Sequence, residues 1–149
     1  MDIRTKTMGT ITIADDHIID IPDGLFGFEE YKRFALFDSE YEPLMWLQSL
    51  DEVNLAFLVI DPFLICNNYE LDVDDATLSS IGIRKPADVH VMVIVTVPSD
   101  GRPVTADLQG PLVINRTNKK AMQTILSDTR WTTKFDILAA LKNREENKC

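Results

Sequence analysis

The residues best suited to hold a metal ion are the consecutive Asp15, Asp16 and His17, with Asp20 three positions further on. Carboxylate and imidazole groups are common ligands of divalent cations. On an extended segment, however, neighbouring side chains point to opposite faces, so Asp16 and His17 do not converge on one ion. No other stretch of the sequence supplies an obvious further ligand. The pattern therefore predicts a solvated turn that leads into a strand, and no metal site.

A second acidic run, formed by Asp72, Asp74 and Asp75, has the opening spacing of a calcium-binding loop. Such a loop also requires an oxygen ligand at its fifth position, a glycine at its sixth and a glutamate at its twelfth. This chain has alanine, threonine and isoleucine at those positions. The run therefore predicts no calcium site.

Nucleophilic catalysis requires a base beside the nucleophile, and the chain has two histidines, His17 and His90. His90 lies within a run of valines, which is typical of a strand. The six glycines form no nucleophile elbow, P-loop or dinucleotide-binding fingerprint. Residues 24–27 have the G-x-x-G outline of a nucleotide-clamping loop, but they follow a strand and are flanked by carboxylates. We therefore predict a protein that is not an enzyme and needs no cofactor.

The charge of the chain is unevenly distributed. The net charge is −9, and residues 1–100 carry 6 basic and 19 acidic groups whereas residues 101–149 carry 9 basic and 5 acidic groups. A surface as acidic as that of the first hundred residues repels phosphate backbones and anionic lipids. We therefore expect a basic protein partner rather than nucleic acid or a membrane. The alternative is that the acidity only keeps the protein soluble.

The length and the apolar segments predict one cytoplasmic domain that spans residues 1–149. A length of 149 residues is typical of a single domain with a core of its own. The first four residues form no apolar signal segment, and the longest apolar stretch, residues 91–97, is too short to cross a bilayer.

Short apolar runs predict strands at intervals of about ten residues. They cover residues 10–13, 17–21, 33–37, 44–50, 56–60, 88–97, 104–108, 111–115 and 121–126. The run at 88–97 has valines at alternate positions and mostly apolar residues between them. It is therefore predicted to be a central strand that is buried on both faces.

Two stretches depart from the strand pattern. Residues 74–82 begin with Asp74, a residue that caps helices, and end in Gly82, so they predict a short helix at 74–81. Phe135, Leu138 and Leu141 have helical spacing, which indicates a C-terminal helix that leads into a charged tail at 142–149. The predicted fold is mainly β, a mostly antiparallel barrel or roll with these short helices.

Several loop motifs carry a resemblance to a known family. The sequence I-P-D-G-L-F-G-F-E at residues 21–29 resembles the G-L-P-G-F-E signature of the FliW family of flagellar assembly factors. L-Q-S at 47–49, D-P at 61–62 and A-D-L-Q-G-P-L-V-I-N at 106–115 resemble further motifs of that family in the same order. The resemblance covers about residues 8–130. Three residues depart from it: Phe26 replaces the usual proline, and Asp107 and Gly110 replace asparagine and alanine.

The resemblance implies a non-enzymatic factor with two protein partners. One is flagellin, bound through its terminal helical region, and the other is CsrA, the RNA-binding translational repressor of flagellin messenger RNA. Flagellin would occupy the factor until flagellin is exported, and the released factor would then antagonise CsrA. The alternative is an oligonucleotide-binding β barrel, which requires a basic and aromatic face that the acidic part of the chain disfavours.

A flagellin site of this kind calls for an apolar groove with a polar rim, because the partner is an amphipathic helix. The predicted lining is Phe26, Phe28 and Leu47, and the predicted rim is Gln48 and Asn115. The glycines on either side of Phe26 permit a turn that presents the aromatic side chains outward. Alternatively, both phenylalanines turn inward as part of the core, and the sequence leaves the two possibilities open.

The CsrA site is predicted to depend on charge, because a protein that holds RNA has a basic surface. The predicted contributors are Glu29, Glu30, Asp72, Asp74 and Asp75. For each of them the alternative is ordinary solvated surface.

Overall fold

The computed structural model describes residues 1–142. The strands of this part of the chain are β1 (Asp2–Arg4), β2 (Thr10–Thr12), β3 (Ile18–Asp20), β4 (Arg33–Asp38), β5 (Met45–Ser49), β6 (Ala56–Ile60), β7 (Val89–Thr96), β8 (Thr105–Ala106), β9 (Leu112–Asn115), β10 (Ala121–Gln123) and β11 (Phe135–Asp136). The helices are α1 (Asp75–Ser80) and α2 (Ile137–Lys142), and short 3₁₀ turns cover Asp15–His17, Pro62–Leu64 and Pro86–Asp88.

Within residues 1–142, nine strands form one sheet in which all strand pairs are antiparallel. Its main path runs β10-β9-β7-β6-β5-β4-β3, with β8 and β11 added beside the end of β7. β7 pairs with β6 on one side and with β9 and β8 on the other. Its residues Val91, Met92 and Val93 are buried although they alternate between the two faces. The predicted central strand is therefore confirmed.

The sheet curls into a roll that does not close into a barrel. Its two edges meet at a single parallel bridge between Asp20 and Lys120, beside which the Asp20 N–H donates to the Lys119 carbonyl at 2.9 Å. The seam does not continue, because the Ile21 N–H donates instead to the Lys32 carbonyl and Pro22 has no N–H. The predicted mainly β, antiparallel fold is thus confirmed in its roll form.

Apolar side chains fill the inside of the roll and also cover parts of its outside. Each strand of the main path contributes to the inner cluster, which includes Ile19, Phe34, Leu47, Met92 and Ile114. On the outside, the β1–β2 hairpin covers β4 and β5, and the segment around α1 covers β7 and β9. A further outer cluster lies between β7 and the segments that precede α1 and surround β11.

Both predicted helices are present, with one correction. The Asp74 side chain accepts a hydrogen bond from the Thr77 N–H at 2.7 Å and so caps α1, and Gly82 has a φ of 78° after its end. The C-terminal helix begins only at Ile137, because Phe135 extends β11 and pairs with Ala106 of β8. The predicted helical role of Phe135 is therefore wrong. The tail from residue 143 onward lies outside the described residues.

Candidate functional site

The loop at residues 24–29 has a conformation that its glycines make possible. Gly24 has a φ of 70°, and a Cβ atom at this position would lie 2.5 Å from Cα of Glu29. Gly27 has a φ of 87°, and the Phe28 N–H donates to the Leu25 carbonyl at 2.8 Å. A glycine with positive φ at the third position of such a turn is typical of type II. We call residues 24–29 the aromatic loop.

The aromatic loop divides its apolar side chains between core and solvent. Leu25 is buried in the inner cluster, whereas Phe26 is 52% exposed and Phe28 is 36% exposed. The Phe28 ring packs edge-on against Phe57 of β6, with 5.2 Å between ring centroids. The alternative in which both phenylalanines form core is therefore wrong for Phe26. Leu25 is the loop residue that packs in the core, and Phe26 lies at the exposed tip.

Gln123 holds the aromatic loop against the next loop along the roll. Its Oε1 accepts a hydrogen bond from the Phe26 N–H at 2.9 Å, and its Nε2 donates to the Gly110 carbonyl at 3.0 Å. A Cβ atom on Gly110 would lie 2.8 Å from Oδ2 of Asp107. Two of the three residues that depart from the family pattern therefore bond to one glutamine, and the third, Asp107, bonds to Gly110. The sequence analysis missed this role of Gln123, because 97 residues separate it from Phe26 and no local pattern signals the contact.

Asp107 is a half-buried carboxylate in this arrangement. Burial raises the pKa of its carboxyl group, although the N–H groups of Gly110 and Gln109 donate to its Oδ1 and act in the opposite direction. The phenol of Tyr69 donates to the Leu108 carbonyl at 2.7 Å. Burial raises the pKa of that phenol, and the charge of Asp107 raises it further. Both groups serve the packing of this loop.

Two of the predicted groove residues are buried on opposite faces of β5. Leu47 is fully buried in the inner cluster, and Gln48 is 1% exposed. Gln48 Nε2 donates to the carbonyls of Ser49, Val53 and Leu55 at 3.0, 3.0 and 3.2 Å. Its Oε1 accepts from a backbone N–H of the segment after β1, at 2.9 Å. The predicted lining role of Leu47 and the predicted rim role of Gln48 are therefore corrected: both residues hold strands together.

Asn115 is also buried, with 3% of its surface exposed. Its Nδ2 donates to the Ile81 carbonyl at 2.9 Å, and its Oδ1 accepts from the Thr117 N–H at 2.9 Å. These bonds join the end of β9 to the segment that follows α1. The predicted rim role of Asn115 is therefore wrong, because its side chain is buried. The five predicted groove residues do not form one surface. Only Phe26 and Phe28 of that set are exposed.

The predicted acidic residues are all exposed, and they lie on two different elements. Glu29 and Glu30 belong to the aromatic loop and the residue after it. The Gly27 N–H donates to Oε2 of Glu29 at 3.1 Å and lowers the pKa of that carboxyl group. Asp72 and Asp75 flank the start of α1, and the capping bonds of Asp74 lower its pKa. Both patches are therefore exposed to solvent, and the lowered pKa values favour the ionised forms of Glu29 and Asp74.

Among the residues considered as metal ligands, His17 contacts a backbone carbonyl and a neighbouring carboxylate. His17 Nδ1 lies 3.0 Å from the Leu36 carbonyl, and its Nε2 lies 3.8 Å from Oδ1 of Asp16. Over residues 1–142, no three His, Cys, Asp or Glu side chains are grouped so that they could hold a metal ion. Within the same residues, no helix is both long enough and apolar enough to span a membrane.

The fold and the aromatic loop define a class of small antiparallel β-roll proteins with a turn that exposes aromatic side chains. The family model described as FliW protein matches residues 2–137. The flagellar assembly factor FliW of Treponema denticola is 53% identical over 147 residues, covering 99% of this chain and all of the relative. That of Treponema pallidum is 49% identical over 150 residues and covers both chains completely. A crystal structure of the flagellar assembly factor FliW superposes with a TM-score of 0.82 at 38% identity, covering 92% of this chain and 96% of that chain.

The chain therefore belongs to the FliW family of flagellar assembly factors. The family expected from the loop motifs is confirmed.

Proposed function

We propose that this FliW-family protein is a non-enzymatic regulator that binds flagellin and CsrA. In this role, unexported flagellin occupies the protein, and export of flagellin releases it to antagonise CsrA and restore flagellin synthesis. Newly made flagellin and a translational repressor both reside in the cytoplasm, so the protein works there. The exchange of partners requires neither a cofactor nor direct contact with nucleic acid or a membrane.

The observation that carries the flagellin part of the proposal is the exposed aromatic pair. Phe26 and Phe28 expose 52% and 36% of their surface on a loop fixed by hydrogen bonds at both glycines and at Gln123. Aromatic anchors on a rigid loop bind apolar faces at a low entropic cost. An amphipathic helix whose apolar face is uncovered before filament assembly is a matching partner.

Calorimetry with purified flagellin tests this part. Replacing Phe26 with alanine should weaken binding by on the order of 2 kcal/mol, because a desolvated aromatic anchor is lost. Tyr41→Ala is the matched control, since Tyr41 is 59% exposed and lies on another loop. Equal affinities of the folded Phe26→Ala variant and the parent protein would exclude Phe26 as an anchor.

The CsrA part of the proposal rests on the two acidic patches and the net charge of −9. Opposite charges steer association, and salt screens exposed charges over about 8 Å at physiological ionic strength. Association with CsrA should therefore slow as salt rises, whereas flagellin binding through apolar contacts should change less.

Charge reversal of each patch tests this dependence. Glu29→Lys with Glu30→Lys alters the first patch, and Asp72→Lys with Asp75→Lys alters the second without touching the helix cap at Asp74. Each variant should associate with CsrA more slowly and with a weaker salt dependence than the parent. A control that reverses Glu42 and Asp51, which are exposed elsewhere, makes the same change in net charge. If both patch variants behave like the control, the acidity does not guide CsrA binding.

A further inference from the structure

A groove of about 820 Å³ lies between α1, with the loops that flank it, and the first half of β7. Half-buried apolar side chains line it, among them Val73, Leu78 and Val89, and Phe63 adds a ring that is 45% exposed. Proteins leave such apolar depressions open mainly where a partner or ligand covers them. This groove is built from other elements than the aromatic loop.

The charged residues that line the groove include more cations than carboxylates, whereas the chain as a whole is acidic. Arg84, Lys85 and Arg116 are exposed along it, together with the carboxylates of Asp61 and Asp75. In a protein of net charge −9, the groove thus has three cations against two carboxylates. None of the ion pairs formed within residues 1–142 involves Arg84, Lys85 or Arg116. Their charges are therefore available to a partner.

His90 marks the place where the groove meets a second cavity of about 280 Å³. Burial lowers the pKa of this histidine, the charges of Arg116 and Lys119 lower it further, and the charge of Asp61 acts in the opposite direction. Arg116 and Lys119 thus place two positive charges near the ring, against the negative charge of Asp61. A partner carboxylate is favoured at this end of the groove.

Along the first half of β7, one backbone edge is already paired with β9. Val89 pairs with Asn115, and the Arg116 N–H donates to the Asp88 carbonyl at 2.8 Å. A bound segment meets the apolar and cationic side chains that line the groove. Amphipathic helices bind in this way, with apolar residues spaced at i, i+3, i+4 and i+7. Nucleic acid is a poorer match, because bases stack on several aromatic side chains and Phe63 is the one phenylalanine, tyrosine or tryptophan among the residues within 1–142 that line this groove.

We propose that this groove docks an acidic amphipathic helix of a partner protein. The apolar face of the helix covers Val73, Leu78 and Val89, and its carboxylates pair with Arg84, Lys85 and Arg116. The groove shares no residue with the aromatic loop, and it adjoins the second acidic patch, because Asp75 belongs to that patch and also lines the groove.

The probe for this site is a fluorescein-labelled helical peptide of about 16 residues, with leucines at the spacing above and glutamates on both flanks. Fluorescence anisotropy should show saturable binding that weakens about tenfold or more when glutamines replace the glutamates. The R84E/K85E variant should lose affinity to a similar extent. R4E/K6E is the matched control, because it changes the net charge equally on β1 and the residues after it and should bind the peptide like the parent.

Three results would overturn the proposal. The first is the absence of saturable peptide binding. The second is equal affinity of R84E/K85E and R4E/K6E for the peptide. The third is tighter binding of a single-stranded oligouridine that is lost in R84E/K85E, which would make the groove a nucleic-acid site.

Discussion

The backbone N–H of Phe26 donates a hydrogen bond of 2.9 Å to the side-chain oxygen of Gln123, 97 residues further along the chain. A proline at position 26, as the family pattern has it, could not make this bond because it has no N–H. The phenylalanine therefore gains both an exposed ring and a tether that proline lacks. The same glutamine also donates to the Gly110 carbonyl, so it connects two loops whose residues depart from the family pattern.

A double-mutant cycle tests this tether. Gln123→Ala should lower the free energy of unfolding by about 1 kcal/mol, because two side-chain hydrogen bonds are lost near the surface. In a Phe26→Pro background the same substitution should cost less, since only the bond to the Gly110 carbonyl remains. Urea denaturation of the four proteins gives the coupling. An identical cost of Gln123→Ala in both backgrounds would contradict the role of the Phe26 N–H.

The two glycines of the aromatic loop should respond differently to alanine. Gly24→Ala should destabilise the fold by about 3 kcal/mol or more, because its Cβ would lie 2.5 Å from the Glu29 backbone at a φ of 70°. Gly27→Ala has open space around it and should cost about 1 to 2 kcal/mol for its positive φ alone. Chemical denaturation of both variants measures the difference, and equal losses would show that the close approach at Gly24 is relaxed in solution.

Asp107→Asn should stabilise the protein at neutral pH. Burial raises the folded-state pKa of Asp107 above its ordinary value of 3.8, so ionisation of this group disfavours the folded state. The stability that the protonated form contributes is fully present below pH 3.8. It is lost as the pH rises through the folded-state pKa. Asparagine stays neutral and its Oδ1 can accept the same N–H bonds.

Unfolding free energies of the parent and Asp107→Asn, measured at several pH values, check this prediction. The variant should be more stable at pH 7, and its advantage should shrink as the pH falls through the folded-state pKa of Asp107 toward 3.8. An advantage that is the same at every pH would mean that the charge of Asp107 is not its cause.

The sequence alone predicted the strands and helices that depend on local pattern. The alternating valines predicted β7, and Asp74 with Gly82 predicted α1, because strand burial and helix capping act over a few residues. Phe135 was misassigned because its pairing with Ala106 is a tertiary contact that overrides a short helical spacing.

The candidate site was less predictable, because the burial of polar side chains depends on distant partners. The sequence around Gln48 predicts an exposed side chain, yet Gln48 is buried. One of its hydrogen bonds is to the N–H of Lys6, 42 residues earlier in the chain. Asn115 is buried by a bond to the Ile81 carbonyl, 34 residues away. The glycines of the aromatic loop permitted an exposed Phe26 without deciding it, and the core position of Leu25 depends on how the roll packs beneath the loop.

In the proposed function, flagellin controls access of this protein to CsrA, and a single titration measures whether it does. Labelled flagellin messenger RNA bound to CsrA is titrated with the protein alone and with the protein preloaded with flagellin, and RNA release is followed by fluorescence anisotropy. The account predicts RNA release by the protein alone and suppression of that release by flagellin. No release by the protein alone, or equal release with and without flagellin, would contradict it.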